Sequence, residues 1–161
     1  MITNQKMQAL VTQLAQLKSE QNIMAALEIY HPKIELITPS LNVRGVGHHE
    51  ARQQLEIFFN VFPDYGVTLE EHAFNENLML VTGQVTVTPT LAPSVSKKIF
   101  PTVTVPVFIE FHFSADKICK EVFHFDIEHI FKKSGLRKQD LHLNNQYFIK
   151  AKKNAGHSCL N

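Results

Sequence analysis

Cysteine is scarce. Cys119 and Cys159 are the two in 161 residues, and their separation makes no CxxC or other metal-type spacing. That excludes a disulfide-stapled scaffold and cysteine-held zinc, and it predicts reduced thiols and no metal site. Charge of one sign is lacking too: 16 Lys and Arg stand against 15 Asp and Glu, for a net charge of +1. No global field draws the chain to nucleic acid or to an anionic membrane surface. No apolar run is long enough to span a bilayer, and Gln, Lys and Thr break every stretch of the first thirty residues, which argues against a signal peptide. The expectation that remains is a cytoplasmic protein with neither nucleic acid nor membrane as partner and no cofactor. At this length the chain can bury a sizeable core without staples.

What is present begins with helical spacing. Met7, Leu10, Val11, Leu14 and Leu17 make one amphipathic stripe that Asn4 can cap, and after the polar break KSEQN (18–22) a second pattern runs through Ile23, Met24, Leu27 and Tyr30 to Pro32. IELIT (34–38) reads as a short strand and PSLNVRGVG as a loop. A third helix is predicted from about His48 to Val61, its apolar edge formed by Ala51, Leu55, Phe58, Phe59 and Phe62. At the start of this helix His48 and His49 read as terminating residues rather than ligands.

Beyond Gly66 the period changes from 3.6 to 2. Met79, Val81, Val85 and Val87 alternate with Leu80, Thr82, Gln84 and Thr86, and Val103, Val105, Val107, Ile109, Phe111 and Phe113 keep one parity over a long strand. TPTLAPSVSKK (88–98) is an extended connection, read either as a flap over the domain or as an ordinary solvated loop. Helices first and antiparallel strands afterwards is the α+β pattern, with helices packed on one face of a curved sheet. The domain is expected to occupy residues 1–136. Residues 137–161 read as a polar, basic extension whose apolar cluster, Tyr147, Phe148 and Ile149, either stays loose or docks.

Several short stretches, in order, carry a resemblance. They are YHPKIEL (30–36), RGVGHHEARQQL (44–55), FPD (62–64), DKI (116–118), and Asp126 with Gly135 nine residues later. In these the chain resembles the SnoaL-like polyketide cyclase family, of the superfamily that includes nuclear transport factor two, scytalone dehydratase and ketosteroid isomerase. The resemblance covers about Leu10 to Leu136. It implies a cone-shaped barrel, a strongly bent, mixed but mostly antiparallel sheet with the N-terminal helices in its concave face, an apolar pocket in the mouth, and homodimers paired through the outer sheet face. GQVTVTPT (83–90) and APSVSKK (92–98) depart from the family pattern.

Family cyclases carry a His and an Asp on the last two strands as their acid–base pair. The match through DKI and Asp126 puts Ile109 and Phe123 at those positions, and neither moves a proton. Strand parity agrees: with a turn near Asp116, Ile109 opposes Phe123, Phe111 opposes Glu121 and Phe113 opposes Cys119, which stacks apolar on apolar. EVFHFDIEH (121–129) reads as one strand, so His124, Asp126 and Glu128 face outward at about 6.8 Å intervals, too far apart to grip one metal ion together.

Glu121 is the one acid on the inward parity. A carboxylate among Phe111 and Phe123 either finds a partner or has its pKa raised, as acid–base catalysts do, unless it sits at a hairpin end open to water. His112 and Asp126 form an alternative pair with the family spacing on the outer face. Tyr30, Phe58, Phe59, Phe62, Ile109, Phe111 and Phe123 are the expected pocket lining, with His31 near the mouth.

Three readings stand. The first is a SnoaL-like protein that binds a small hydrophobic ligand in an apolar pocket without the cyclase dyad. The second is an enzyme of the same fold, a cyclase, isomerase or hydratase, using Glu121 or the pair His112 and Asp126. The third is a non-catalytic dimeric interaction module.

Overall fold

A computed structural model of the chain describes residues 1–144. Helix α1 (Asn4–Ser19) is capped by Thr3, one residue before the expected Asn4: the Thr3 hydroxyl accepts from the Lys6 amide at 3.2 Å. Helix α2 (Ile23–Ile29) follows, with Asn22 accepting from the Ala25 amide at its start. The chain then turns directly into strand β1 (Tyr30–Thr38), which starts earlier than the sequence suggested and contains Pro32. Proline is tolerated because the pairing of β1 skips from Tyr30 to Glu35, so no ladder hydrogen bond is asked of it.

The stretch read as a loop is partly regular. A 3₁₀ turn (Pro39–Leu41) and Asn42, at φ 53°, lead into a short strand β2 (Val43–Val46), and helix α3 (Gly47–Val61) lies close to the predicted span. Strands β3 (Gly66–Asn75), β4 (Leu78–Val87), β5 (Val103–Ser114) and β6 (Lys117–Phe125) complete one sheet of order β2-β1-β6-β5-β4-β3. All its pairs are antiparallel except β1 with β6, and β2 and β3 are its edges, so the sheet does not close on itself.

The sheet buries one face against the helices. Helix α1 lies on β3 and α3 on β1 and β2. Met7, Val11 and Leu14 meet the inward parities of β4 and β5, Met79, Val81, Val105, Ile109 and Phe111, in one core. Register shifts in β1–β6, β3–β4 and β5–β6 supply the kind of irregularity that bends a sheet around its helices. Residues 88–102 have no regular structure but are pinned: the Thr88 hydroxyl donates to Asp64 at 2.6 Å, the Thr90 amide to the Val61 carbonyl at 2.7 Å, and Leu91 and Phe100 are buried.

Two expectations about the final hairpin need correction. Ile109 faces Phe123 and Phe111 faces Glu121 as parity required, but a bulge after His112 sets Phe113 opposite Ile118 rather than Cys119. More consequentially, EVFHFDIEH is not one strand. It leaves the sheet after Phe125, and Asp126 caps a helix α4 (Ile127–Ser134) by accepting from the His129 amide at 2.9 Å. A further helix α5 (Lys138–Asn144) starts beyond it, with Leu136 and Leu141 buried. Cys159 and the cluster Tyr147, Phe148 and Ile149 lie outside the described residues.

Candidate functional site

Strand β6 runs through the middle of the sheet, between β1 and β5. Its inward parity therefore points at the deepest part of the core. Glu121 has no exposure to solvent and meets two partners from distant parts of the chain: Lys18 Nζ donates to Oε1 at 2.6 Å and the Tyr30 hydroxyl donates to Oε2 at 2.5 Å. The carboxylate sits at no open hairpin end. Of the outcomes foreseen for a buried acid, the structure realises the one with partners.

Lys18 reaches it from the last turn of α1, and its ammonium also lies 5.3 Å from the centre of the Phe123 ring. Tyr30 stands where α2 becomes β1, and His48 Nε2 lies 3.1 Å from its carbonyl oxygen, so that histidine holds the strand start. Burial first, and then the Glu121 charge, push the Tyr30 hydroxyl well above its ordinary pKa of 10.0. The same two causes raise Tyr65. Both phenols therefore stay protonated, and Tyr30 donates to a carboxylate whose charge Lys18 compensates.

A cavity of about 20 Å³ opens beside this group. Its walls are Lys18, Leu36, Thr38, Leu41, Val43, Gln54, Leu55, Phe58, Tyr65, Glu121 and Phe123. Leu41 and Phe58 are the lining side chains that keep partial exposure, so the cavity faces outward between the 3₁₀ turn and α3. Phe58 packs against Phe59, Phe62, Tyr65, Phe123 and Phe125 with ring centres 5.0 to 6.1 Å apart.

Of the expected lining, Phe58 and Phe123 reach this cavity, and Tyr30 touches it through Glu121. Phe59, Phe62, Ile109 and Phe111 are buried in the core behind it. His112 and Asp126 are not brought together: His112 pairs with Lys120, and Asp126 lies six residues further along, about 20 Å at strand spacing. Asp126 spends its carboxylate on capping α4. On the outer face His124 packs its ring 5.7 Å from Phe108. Among the described residues no three His, Cys, Asp or Glu side chains converge to hold a metal ion.

Sequence reasoning missed Lys18, Gln54 and Tyr65. A signal for the first two exists. Lys18 stands four residues after Leu14 and seven after Val11, on the buried stripe of α1, and Gln54 stands between Ala51 and Leu55 on the buried face of α3.

No protein-family model matches the chain and no curated protein does. Solved structures do. A protein of ketosteroid-isomerase-like fold from Catenulispora acidiphila, in complex with trimethylamine, is similar with a TM-score of 0.70 at 12% identity over 80% of this chain and 93% of that one. The fold is that of the SnoaL-like and nuclear-transport-factor-two-like proteins. A SnoaL-like polyketide cyclase structure from Shewanella putrefaciens superposes with a TM-score of 0.69 at 14% identity, over 82% of this chain and 97% of that one. TerC, co-crystallised with polyporic acid, reaches 0.66 at 17% identity over 78% and 95%. Within this SnoaL-like fold, the cavity beside Glu121 lies in the space between helices and sheet. Among the described residues no helix is long and apolar enough to cross a membrane.

Proposed function

We propose that this chain binds a small, largely apolar molecule between the helices and the concave side of its sheet, without the His and Asp pair of the polyketide cyclases. One observation carries the reading: a cavity walled by Phe58, Phe123, Leu36 and Leu55 also presents a buried polar cluster, Lys18, Glu121 and Tyr65. Apolar walls with a few convergent polar groups are the usual make-up of a ligand site. As it stands the cavity has room for about one water-sized group. Ligand entry therefore requires Phe58 and Leu41 to part. Two neighbours of the same fold were solved with small molecules, trimethylamine and polyporic acid, which supports the capacity of the fold to take one.

A second reading is favoured by the bridging of Glu121 between an ammonium and a phenol: an acid–base enzyme in which Glu121 takes a proton from a carbonyl-bearing ring compound. Thermal unfolding with a panel of ring compounds and fatty acids tests the binding reading, because a ligand of the folded state raises the midpoint with its concentration. No shift with any compound, beside a crystal structure with Phe58 and Phe123 closed on a filled interior, removes it. For the compounds that bind, deuterium exchange at carbons next to a carbonyl, lost in Glu121→Gln, separates the enzyme from the binder.

A further inference from the structure

Tyr65 follows α3 in the turn FPDYG and is buried, its ring 5.5, 5.7 and 6.4 Å from those of Phe58, Phe59 and Phe123. These contacts fix the phenol in the cavity wall, and Phe59 and Phe123 still hold it when Phe58 parts to admit a ligand. Lys18 and Tyr30 both donate to Glu121, but the Tyr65 hydroxyl has no hydrogen-bond partner among the described residues. It is not sealed off either. Gln54 Oε1 is the one side-chain polar atom of the described residues that is both fully enclosed and unpartnered. An unpartnered Tyr65 Oη therefore keeps surface that water reaches, and the cavity beside it has room for about one water.

The surroundings decide what that hydroxyl can hold. Burial and then the Glu121 charge keep the phenol protonated, so it has a proton to donate. The carboxylate charge felt at this oxygen opposes a ligand anion there, and Lys18 is already engaged by Glu121 at 2.6 Å. A cation finds no unpaired carboxylate in the wall, because Glu121 is its only acid. A neutral acceptor is what remains, and Leu36, Leu55, Phe58 and Phe123 supply the apolar surface around it. Resting on the binding reading above, we infer that Tyr65 is the specificity-determining residue of the cavity, and that the ligand is a neutral ring compound whose carbonyl oxygen accepts from Tyr65 Oη. The carbonyl takes over the hydrogen bond of the water it displaces, whereas an alkene of the same shape cannot.

Isothermal titration of the full chain with acetophenone, α-methylstyrene, benzoate and benzylammonium tests this. α-Methylstyrene has the shape of acetophenone, with a methylene group in place of the carbonyl oxygen. Tyr65→Phe, checked for folding by circular dichroism, should lower the affinity ratio of acetophenone to α-methylstyrene about tenfold, the expected effect of leaving a buried carbonyl unpaired. Both ions should bind the native chain more weakly than acetophenone. A second readout needs no variant: the isotope-edited infrared carbonyl stretch of bound acetophenone should lie below its value in hexane, as that of a hydrogen-bonded carbonyl does. A ratio unchanged in Tyr65→Phe overturns the role of Tyr65 while the binding reading survives. So does a bound stretch at the hexane value, or tighter binding of either ion. If none of the four compounds binds, both readings fall. Should Tyr65→Phe not fold, the carbonyl stretch in the native chain decides alone.

Discussion

Glu35 and Glu121 are neighbours in the sheet with opposite fates. Across the parallel pair of β1 and β6, Glu35 is level with Lys120 and Leu36 with Glu121, so one residue of strand separates the two acids. That one residue turns them to opposite faces. Glu121 points inward, has no exposure, and is held by Lys18 and Tyr30 from 103 and 91 residues away in sequence. Glu35 points outward and meets Arg44 at 2.7 Å and Lys120 at 3.6 Å, both from adjacent strands and all three partly open to solvent. The Arg44 hydrogen bond holds the Glu35 carboxyl below its ordinary pKa of 4.5. Both acids are paired, and the comparison shows that pairing alone says little. What differs is what happens when a partner is lost, because water can replace a partner outside and cannot do so inside.

The largest effect follows from breaking the inner pair on one side. Glu121→Leu leaves the Lys18 ammonium buried beside Phe123, and Lys18→Met leaves the carboxylate stranded. Each should cost about 3–5 kcal/mol of unfolding free energy. The double substitution removes both charges together and should recover most of that loss. Urea unfolding of the four proteins measures the coupling. If the two single losses simply add in the double variant, Glu121 is not held by Lys18 in the manner described and the contrast with Glu35 collapses.

How far this contrast could be read beforehand depends on the range of the interaction. The inward direction of Glu121 was legible, because alternation in Val103–Phe113 and the turn at Ala115 and Asp116, with φ 48° and 58°, fix the pairing of β5 with β6. The identity of its partners was not. Nothing local ties residue 121 to residues 18 and 30, and KSEQN looked polar enough to be only a helix end. A stripe continued from Leu14 to Lys18 would have shown the lysine facing the core, though not what it met there. The misreading of Asp126 has the opposite cause. Its signals were all local: Asp126 as cap, Ile127, Ile130 and Phe131 at helical spacing, Lys132 and Lys133 in the last turn, and Gly135 at φ 76°. Extending the strand alternation past Phe125 overrode them. The small size of the cavity was not legible either, since Phe58 and Phe123 can line an open pocket or close it, and only their packing decides.

An intermediate effect concerns the phenols around the inner acid. Tyr30 and Tyr65 are both raised above an ordinary pKa of 10.0, by burial and then by the Glu121 charge. A raised tyrosine favours the folded state fully below that ordinary value, and the contribution is lost as pH climbs above it toward the folded value. Stability should therefore fall steadily above about pH 10, and tyrosinate absorbance from these residues should rise only together with unfolding. Glu121→Leu removes the second cause, so its tyrosines should ionise at lower pH than those of the native chain, relative to its own unfolding. Ready ionisation of all tyrosines in the folded native chain would mean that the interior around Glu121 is open to water.

The smallest effect belongs to the outer acid, and its smallness is the point. Glu35→Gln keeps the shape of the side chain and removes the charge shared with Arg44 and Lys120. Partly exposed pairs of this kind contribute about 0.2–1 kcal/mol, and screening by salt reduces that further. The sign with pH is fixed by the lowered pKa. A carboxylate held below its ordinary 4.5 stabilises the fold fully above that value, and the benefit fades as pH falls below it. The difference between Glu35→Gln and the native chain should thus be small at neutral pH, smaller in high salt, and absent in acid. A loss approaching that of Glu121→Leu would place Glu35 in a far less solvated setting than an outer strand position, and the face of the sheet would cease to explain the two fates.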